Sequence, residues 1–143
     1  MTPEPQHPPP FVPALAPPPS PSPAPPALDA RALAKLHQLD PAGRLGVVRR
    51  VLCVYESSLQ RMLDQLQVQL APGAQADAAL VSHVAHTLKS SSASVGALAL
   101  AQACAETEKH GRQGATETLH ADVVHLLAEG RAALLAVRAM LHD

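Results

Sequence analysis

Eight histidines in a chain of 143 residues are the side chains with most chemical scope. An imidazole with an ordinary pKa of about 6.5 is largely neutral at neutral pH, and its bare nitrogen is a nucleophile. His37, His110, His120 and His142 fall near expected helix ends, where a partly cationic ring is tolerated, and are read as surface residues. His86 differs in its neighbours. On a helix, residues three and four away share its face, and here they are Ser82, His83, Lys89 and Ser90, while Val84 and Leu88 point the other way. A nucleophile and a cation thus lie one turn apart on a wet face among small side chains. The cation offsets negative charge on any group attached to His86, and the small side chains let another protein come close. Two other readings compete: ordinary polar residues on a solvated face, or a metal pair formed by His83 and His86 at i and i+3. Bundle metal sites want inward carboxylates from facing helices. Glu106 and Glu108 are the only candidates, on a helix whose inner face is otherwise Ala, Leu and Cys, and Glu108 has Arg112 at i+4. No metal site is expected.

The elements that must hold this face are all helical. From Leu28 onward apolar residues recur at three and four positions, with almost no alternating strand formers. Asp29 as N-cap and the stripe Leu33, Leu36, Leu39 predict a short first helix. Asp40-Pro41 reads as the start of a second, with proline at its first position, carrying Leu45, Val48, Leu52, Tyr55, Leu59, Met62 and Leu66 and stopping at Ala71-Pro72-Gly73. A third runs from about Ala76 to Ser94, with Leu80, Val84, Leu88 and Ser91 inward and Gly96 to end it. The fourth has small inner residues, Ala97, Leu100, Ala101 and Cys104, so it can approach its neighbours closely before Gly111 and Gly114 break it. The fifth, from about Thr116 to Leu141, repeats Leu119, Val123, Leu126, Ala133, Val137 and Met140. Gly130 in its middle costs about 1 kcal/mol relative to Ala, for close packing or by simple tolerance. Short connections between long amphipathic helices predict an all-α, up-down antiparallel four-helix bundle with the short first helix capping one end.

Composition bounds the rest. Thirteen of the fifteen prolines precede Leu28, so residues 1–27 are expected to be a disordered or polyproline II tail, a spacer rather than a docking peptide, and residues 28–143 the folded domain. That length suffices for one core without disulfide or metal staples. Beyond the tail, 11 acids balance 11 Lys and Arg, and in the whole chain the only aromatic rings besides histidine are Phe11 and Tyr55. Neither a basic field nor an aromatic platform is present for nucleic acid, so no nucleic-acid partner is expected. Cys53 and Cys104 fit neither a disulfide framework nor a zinc spacing and are read as two buried thiols in a reducing compartment. No basic, apolar leader and no run near the roughly 18 apolar residues of a membrane span occur, so a cytoplasmic protein without membrane contact is expected.

The stretch from Ala85 to Ala97, AHTLKSSSASVGA, resembles the signature of histidine-containing phosphotransfer (HPt) domains: Ala or Ser, His, any residue, Leu-Lys-Gly, two small residues, and later Gly-Ala. The likeness continues through Leu100, Cys104, Glu108 and Arg112, and at the level of helix order spans about residues 28 to 142. One departure is plain, since Ser90 stands where the family usually has Gly. The resemblance implies a phosphorelay carrier and not an enzyme with its own ATP site. His86 is then the phosphoacceptor, Lys89 neutralises phosphoryl charge and Ser90 can donate a hydrogen bond. Ser82, His83, Lys89, Ser90 and Ala93 form the partner-binding face. The implied partners are response-regulator receiver domains and a hybrid sensor histidine kinase. No cofactor of its own is implied, the magnesium being expected on the receiver, and the chain is expected to be a monomer. A module that docks a receiver without being phosphorylated is the alternative.

Overall fold

A computed structural model describes residues 28–142, and the expected tail at residues 1–27 lies outside them. Five helices follow one another: α1 (Ala30–Gln38), α2 (Val47–Gln69), α3 (Ala78–Val95), α4 (Leu98–Arg112) and α5 (Leu119–His142). No strand occurs among the described residues. Helices α2 to α5 pack in a ring, α2 on α3, α3 on α4, α4 on α5 and α5 back on α2, while α1 lies across α2 and α3 at one end. This is the predicted four-helix bundle with its capping helix.

The apolar stripes explain the ring. Leu52, Tyr55, Leu59, Leu63 and Leu66 of α2 are buried against Val81, Val84, Ala85, Leu88 and Val95 of α3 and Val123, Leu126, Leu127, Leu134 and Val137 of α5. Their spacings, mostly three, four or seven, keep them on one side, so each helix turns one face inward. The core has one internal polar link between α2 and α3, a hydrogen bond of 2.8 Å between the hydroxyls of Tyr55 and Ser92. Burial pushes the Tyr55 phenol up to about 12, against the opposing effect of the Ser92 bond, so it stays protonated. Polar clamps close the α2–α5 seam: Arg138 bonds Glu56 and Gln60, and Arg131 bonds Gln67. Between them Gly130 lets the helices touch, since a Cβ there would collide with Leu63, so its role is close packing.

Gly96 ends α3 in the left-handed region at φ 85°. Its carbonyl accepts from the Asp29 amide at 2.7 Å, and an added Cβ would meet that amide at the same distance. The close approach seats Leu28, 7% exposed, on the core. The third helix, expected from about Ala76, begins at Ala78 and is capped by Asp77, whose side chain accepts from the amides of Ala79 and Leu80.

Several expectations need correction. The second helix starts at Val47 rather than Pro41, because Gly43 and Gly46 adopt positive φ and residues 40–46 form a turn. Gly46, not Asp40, is the N-cap of α2, and the buried Asp40 carboxylate instead holds the turn, accepting from the amides of Leu45 at 3.0 Å and Val47 at 3.3 Å. Leu45 therefore lies in the turn and is exposed, and Leu39, beyond the end of α1, is exposed as well. On α3 the residue continuing the stripe is Ser92, four after Leu88, and Ser91 sits at the rim. Cys104 is buried but Cys53 is exposed, as its position one residue past the inward Leu52 requires. His110 is no ordinary surface ring, since its Nδ1 lies 3.0 Å from the Asp122 carboxylate.

Candidate functional site

Helix α3 holds the predicted site because its two faces differ so sharply. Val84, Ala85 and Leu88 are fully buried, which turns His86 outward with a side chain 75% exposed. Ser82, His83, Lys89, Ser90 and Ala93 all fall within about 60° of His86 around the helix axis. His83, Ser90 and Ala93 are exposed, Lys89 is half-buried, and Ser82 is half-buried where α4 comes close at Gly111. The sequence-derived residues are thus brought together on one open face. Among the described residues no hydrogen bond places the Ser90 hydroxyl, whereas its carbonyl accepts from the hydroxyl of Ser94.

The residue missed as a site member is Glu108 of α4. Its side chain is only 10% exposed, and it reaches across to α3. Lys89 Nζ lies 3.1 Å from Oε1 and donates to Oε2 at 3.2 Å. His86 Nδ1 lies 3.4 Å from Oε1. The expected Arg112 pairing is present but looser, at 3.7 Å from a mostly exposed guanidinium. Oε1 is buried yet lacks a well-aligned hydrogen bond, so it is an open acceptor in front of the imidazole. A signal for this existed in the sequence. Leu100, Cys104 and Glu108 are spaced at four on the inward stripe of α4, and a carboxylate on an apolar stripe needs cationic or N–H partners.

Electrostatics follow from this packing. Burial pushes the Glu108 carboxyl up, but the hydrogen bond and charge of Lys89, with the His86 ring, outweigh that and hold it below the usual range. It is therefore an anion at neutral pH. One turn earlier, Cys104 is pushed up to about 12 by burial and by the Glu108 charge, against the opposing pull of Lys89, so the thiol beneath the site stays neutral. A carboxylate at Nδ1 favours the tautomer with the proton there and leaves Nε2 bare. With the ring so exposed, Nε2 is open to attack an electrophile brought by another molecule. Lys89 is held by Glu108 rather than free, at a height one turn along the same face.

Among the described residues no three His, Cys, Asp or Glu side chains converge as a metal set. Glu106, one of the acids considered for that role, is exposed and bonded to Gln102. No helix of the described residues is long and apolar enough to cross a membrane.

Comparison with known proteins agrees with the geometry. Comparison with curated proteins gives no match. Among solved structures the fold is similar to the crystal structure of histidine-containing phosphotransfer protein B (HptB) from Pseudomonas aeruginosa PAO1, with a TM-score of 0.67 and 26% identity over 82% of this chain and 96% of that one. The sequence model of the Hpt domain matches residues 50–142, which include all of α3 and α4 and so the whole His86 face. By that match over most of its length, the chain belongs to the Hpt domain family.

Proposed function

We propose that this protein is a phosphorelay carrier in two-component signalling. It takes a phosphoryl group from a receiver-domain aspartate on Nε2 of His86 and passes it to a second receiver. The observation that carries the reading is the exposed imidazole with a buried carboxylate in front of Nδ1 and a lysine beside it. In the forward step the Nε2 lone pair attacks phosphorus, the bond to the aspartyl oxygen breaks, and the carboxylate leaves on the receiver. The Nδ1 proton stays on the ring, where Glu108 stabilises the positive charge that develops. Lys89 swings part of its charge from Glu108 toward the phosphoryl oxygens, and Ser90 donates to them. Such transfer is mostly positioning and charge neutralisation, with the magnesium on the receiver's acidic cluster. Ser82, His83 and Ala93 form the surrounding landing surface, to which a hybrid sensor kinase presents its receiver. The carrier works as a cytoplasmic monomer.

The test is to incubate the full chain with a phosphorylated receiver and follow acid-labile, base-stable label. His86→Gln should take up none while keeping its helical circular dichroism, because an exposed side chain adds little stability. His83→Gln should take up label normally. Lys89→Ala should slow uptake about tenfold. Label retained by His86→Gln would refute the assignment, and wild-type protein that binds the receiver without taking label would make it a docking module only.

A further inference from the structure

The turn between α1 and α2 and the first turns of α2 carry a local excess of positive charge. Between Pro41 and Tyr55 the sequence holds Arg44, Arg49 and Arg50 and no acid. None of the three forms an ion pair among the described residues. The three arginines line one open concavity of about 610 Å³ together with Leu45 and Val54. Those two apolar side chains are 66% and 68% exposed.

The wall of this concavity is held in shape. Asp40 fixes the amides of Leu45 and Val47, and Arg49 donates to the Leu141 carbonyl at 3.0 Å, which ties the base of α2 to the end of α5. Arg50 and Val54 lie on the side of α2 opposite Leu52 and Tyr55, and Arg49 turns toward α5. His86 lies on α3, which packs beside α2, and Glu108 on α4, across the ring from α2. The concavity shares no lining residue with the His86 face.

We infer that this concavity docks an acidic amphipathic segment of a partner protein, with its carboxylates on Arg44, Arg49 and Arg50 and its apolar residues on Leu45 and Val54. Guanidinium forks match carboxylates in pairs, and exposed apolar side chains among them give the contact an apolar centre. Charge argues against the other occupants. Two copies meeting through this surface would oppose six arginines, and residues 1–27 offer one acid, Glu4. Three cations are few for a nucleic-acid backbone.

The experiment is an NMR titration of the ¹⁵N-labelled full chain. The probes are a synthetic Glu/Leu amphipathic helical peptide, its Lys/Leu counterpart, and phosphatidylglycerol–phosphatidylcholine vesicles. Saturable shifts are expected at amides 43–54 with the Glu/Leu peptide alone, with the His86 amide unmoved. Binding should weaken about tenfold or more in Arg44→Glu/Arg50→Glu and in Leu45→Ser, with circular dichroism unchanged. Arg61→Glu, farther along the outer face of α2, should leave affinity within about twofold. Shifts that never saturate, affinity indifferent to the charge reversal, or vesicle binding without peptide binding would each overturn the inference. The readout involves no phosphoryl group, so it stands or falls apart from the role of His86.

Discussion

Replacing Glu108 by Gln keeps the volume and removes only the charge. In the wild type the carboxylate is purely an acceptor, and it faces His86 Nδ1 at 3.4 Å. The amide of Gln offers an N–H₂ donor as readily as an oxygen, so it no longer selects the ring tautomer with the proton on Nδ1. A hydrogen bond to a charged group is worth about 1.5–3 kcal/mol. Here the contact is long and the ring 75% exposed, so solvent screening brings the value to about 1 kcal/mol. That corresponds to roughly a fivefold loss of the reactive tautomer and a similar drop in transfer rate. Long-range ¹H–¹⁵N correlations on the His86 ring read the tautomer directly, and single-turnover transfer from a phosphorylated receiver reads the rate. Wild-type spectra with the proton on Nε2, or a Glu108→Gln variant transferring at the wild-type rate, would refute the reasoning.

Three further outcomes are expected. Gly96→Ala places a Cβ against the Asp29 backbone at φ 85°, so it should cost more than about 2 kcal/mol and expose the α1 amides to hydrogen exchange. A chain starting at Leu28 should melt within about two degrees of the full chain, whereas one starting at Ala30 loses buried Leu28 and the Asp29–Gly96 bond and should melt several degrees lower. Because the folded Glu108 carboxyl lies below its ordinary value of 4.5, its contribution to stability is fully present above that pH and is lost as pH falls through the lower folded value. Acid unfolding curves of Glu108→Gln should therefore show a shallower fall below about pH 4.5 than the wild type, and identical slopes would remove the ion pair from the stability account.

Much of the architecture was legible in residue spacing. The stripes on α3 and α5 identified the buried faces, and the position of His86 opposite Val84 and Leu88 gave its exposure. The errors arose where a local rule met a longer-range partner. Asp40-Pro41 has the composition of a helix start, but Gly43 and Gly46 allow a turn that brings the Asp40 carboxylate to a later amide. Ser91 and Ser92 both satisfy helical spacing after Leu88, and only the Tyr55 hydroxyl on another helix chooses between them. Glu108 reaches Lys89 and His86 across an interhelical gap, which spacing along one helix cannot measure. Its place on an apolar stripe marked it as needing a partner without saying which.

The Tyr55–Ser92 bond bears on how a bundle of repetitive stripes settles on one alignment. Leu52, Leu59 and Leu66 repeat every seven residues, so sliding α3 along α2 by a helical turn or two would still set apolar side chains against one another. Each slipped alignment would leave two hydroxyls buried without partners, at about 1–3 kcal/mol apiece. A bond that adds little to the native state thus discriminates against its near-copies, and it fixes the height of α3, and with it His86, against α2. Replacing both residues with apolar counterparts would cost little stability while removing that discrimination. Either change alone strands the other hydroxyl in the core, so the double replacement costs less than the sum of the two single ones.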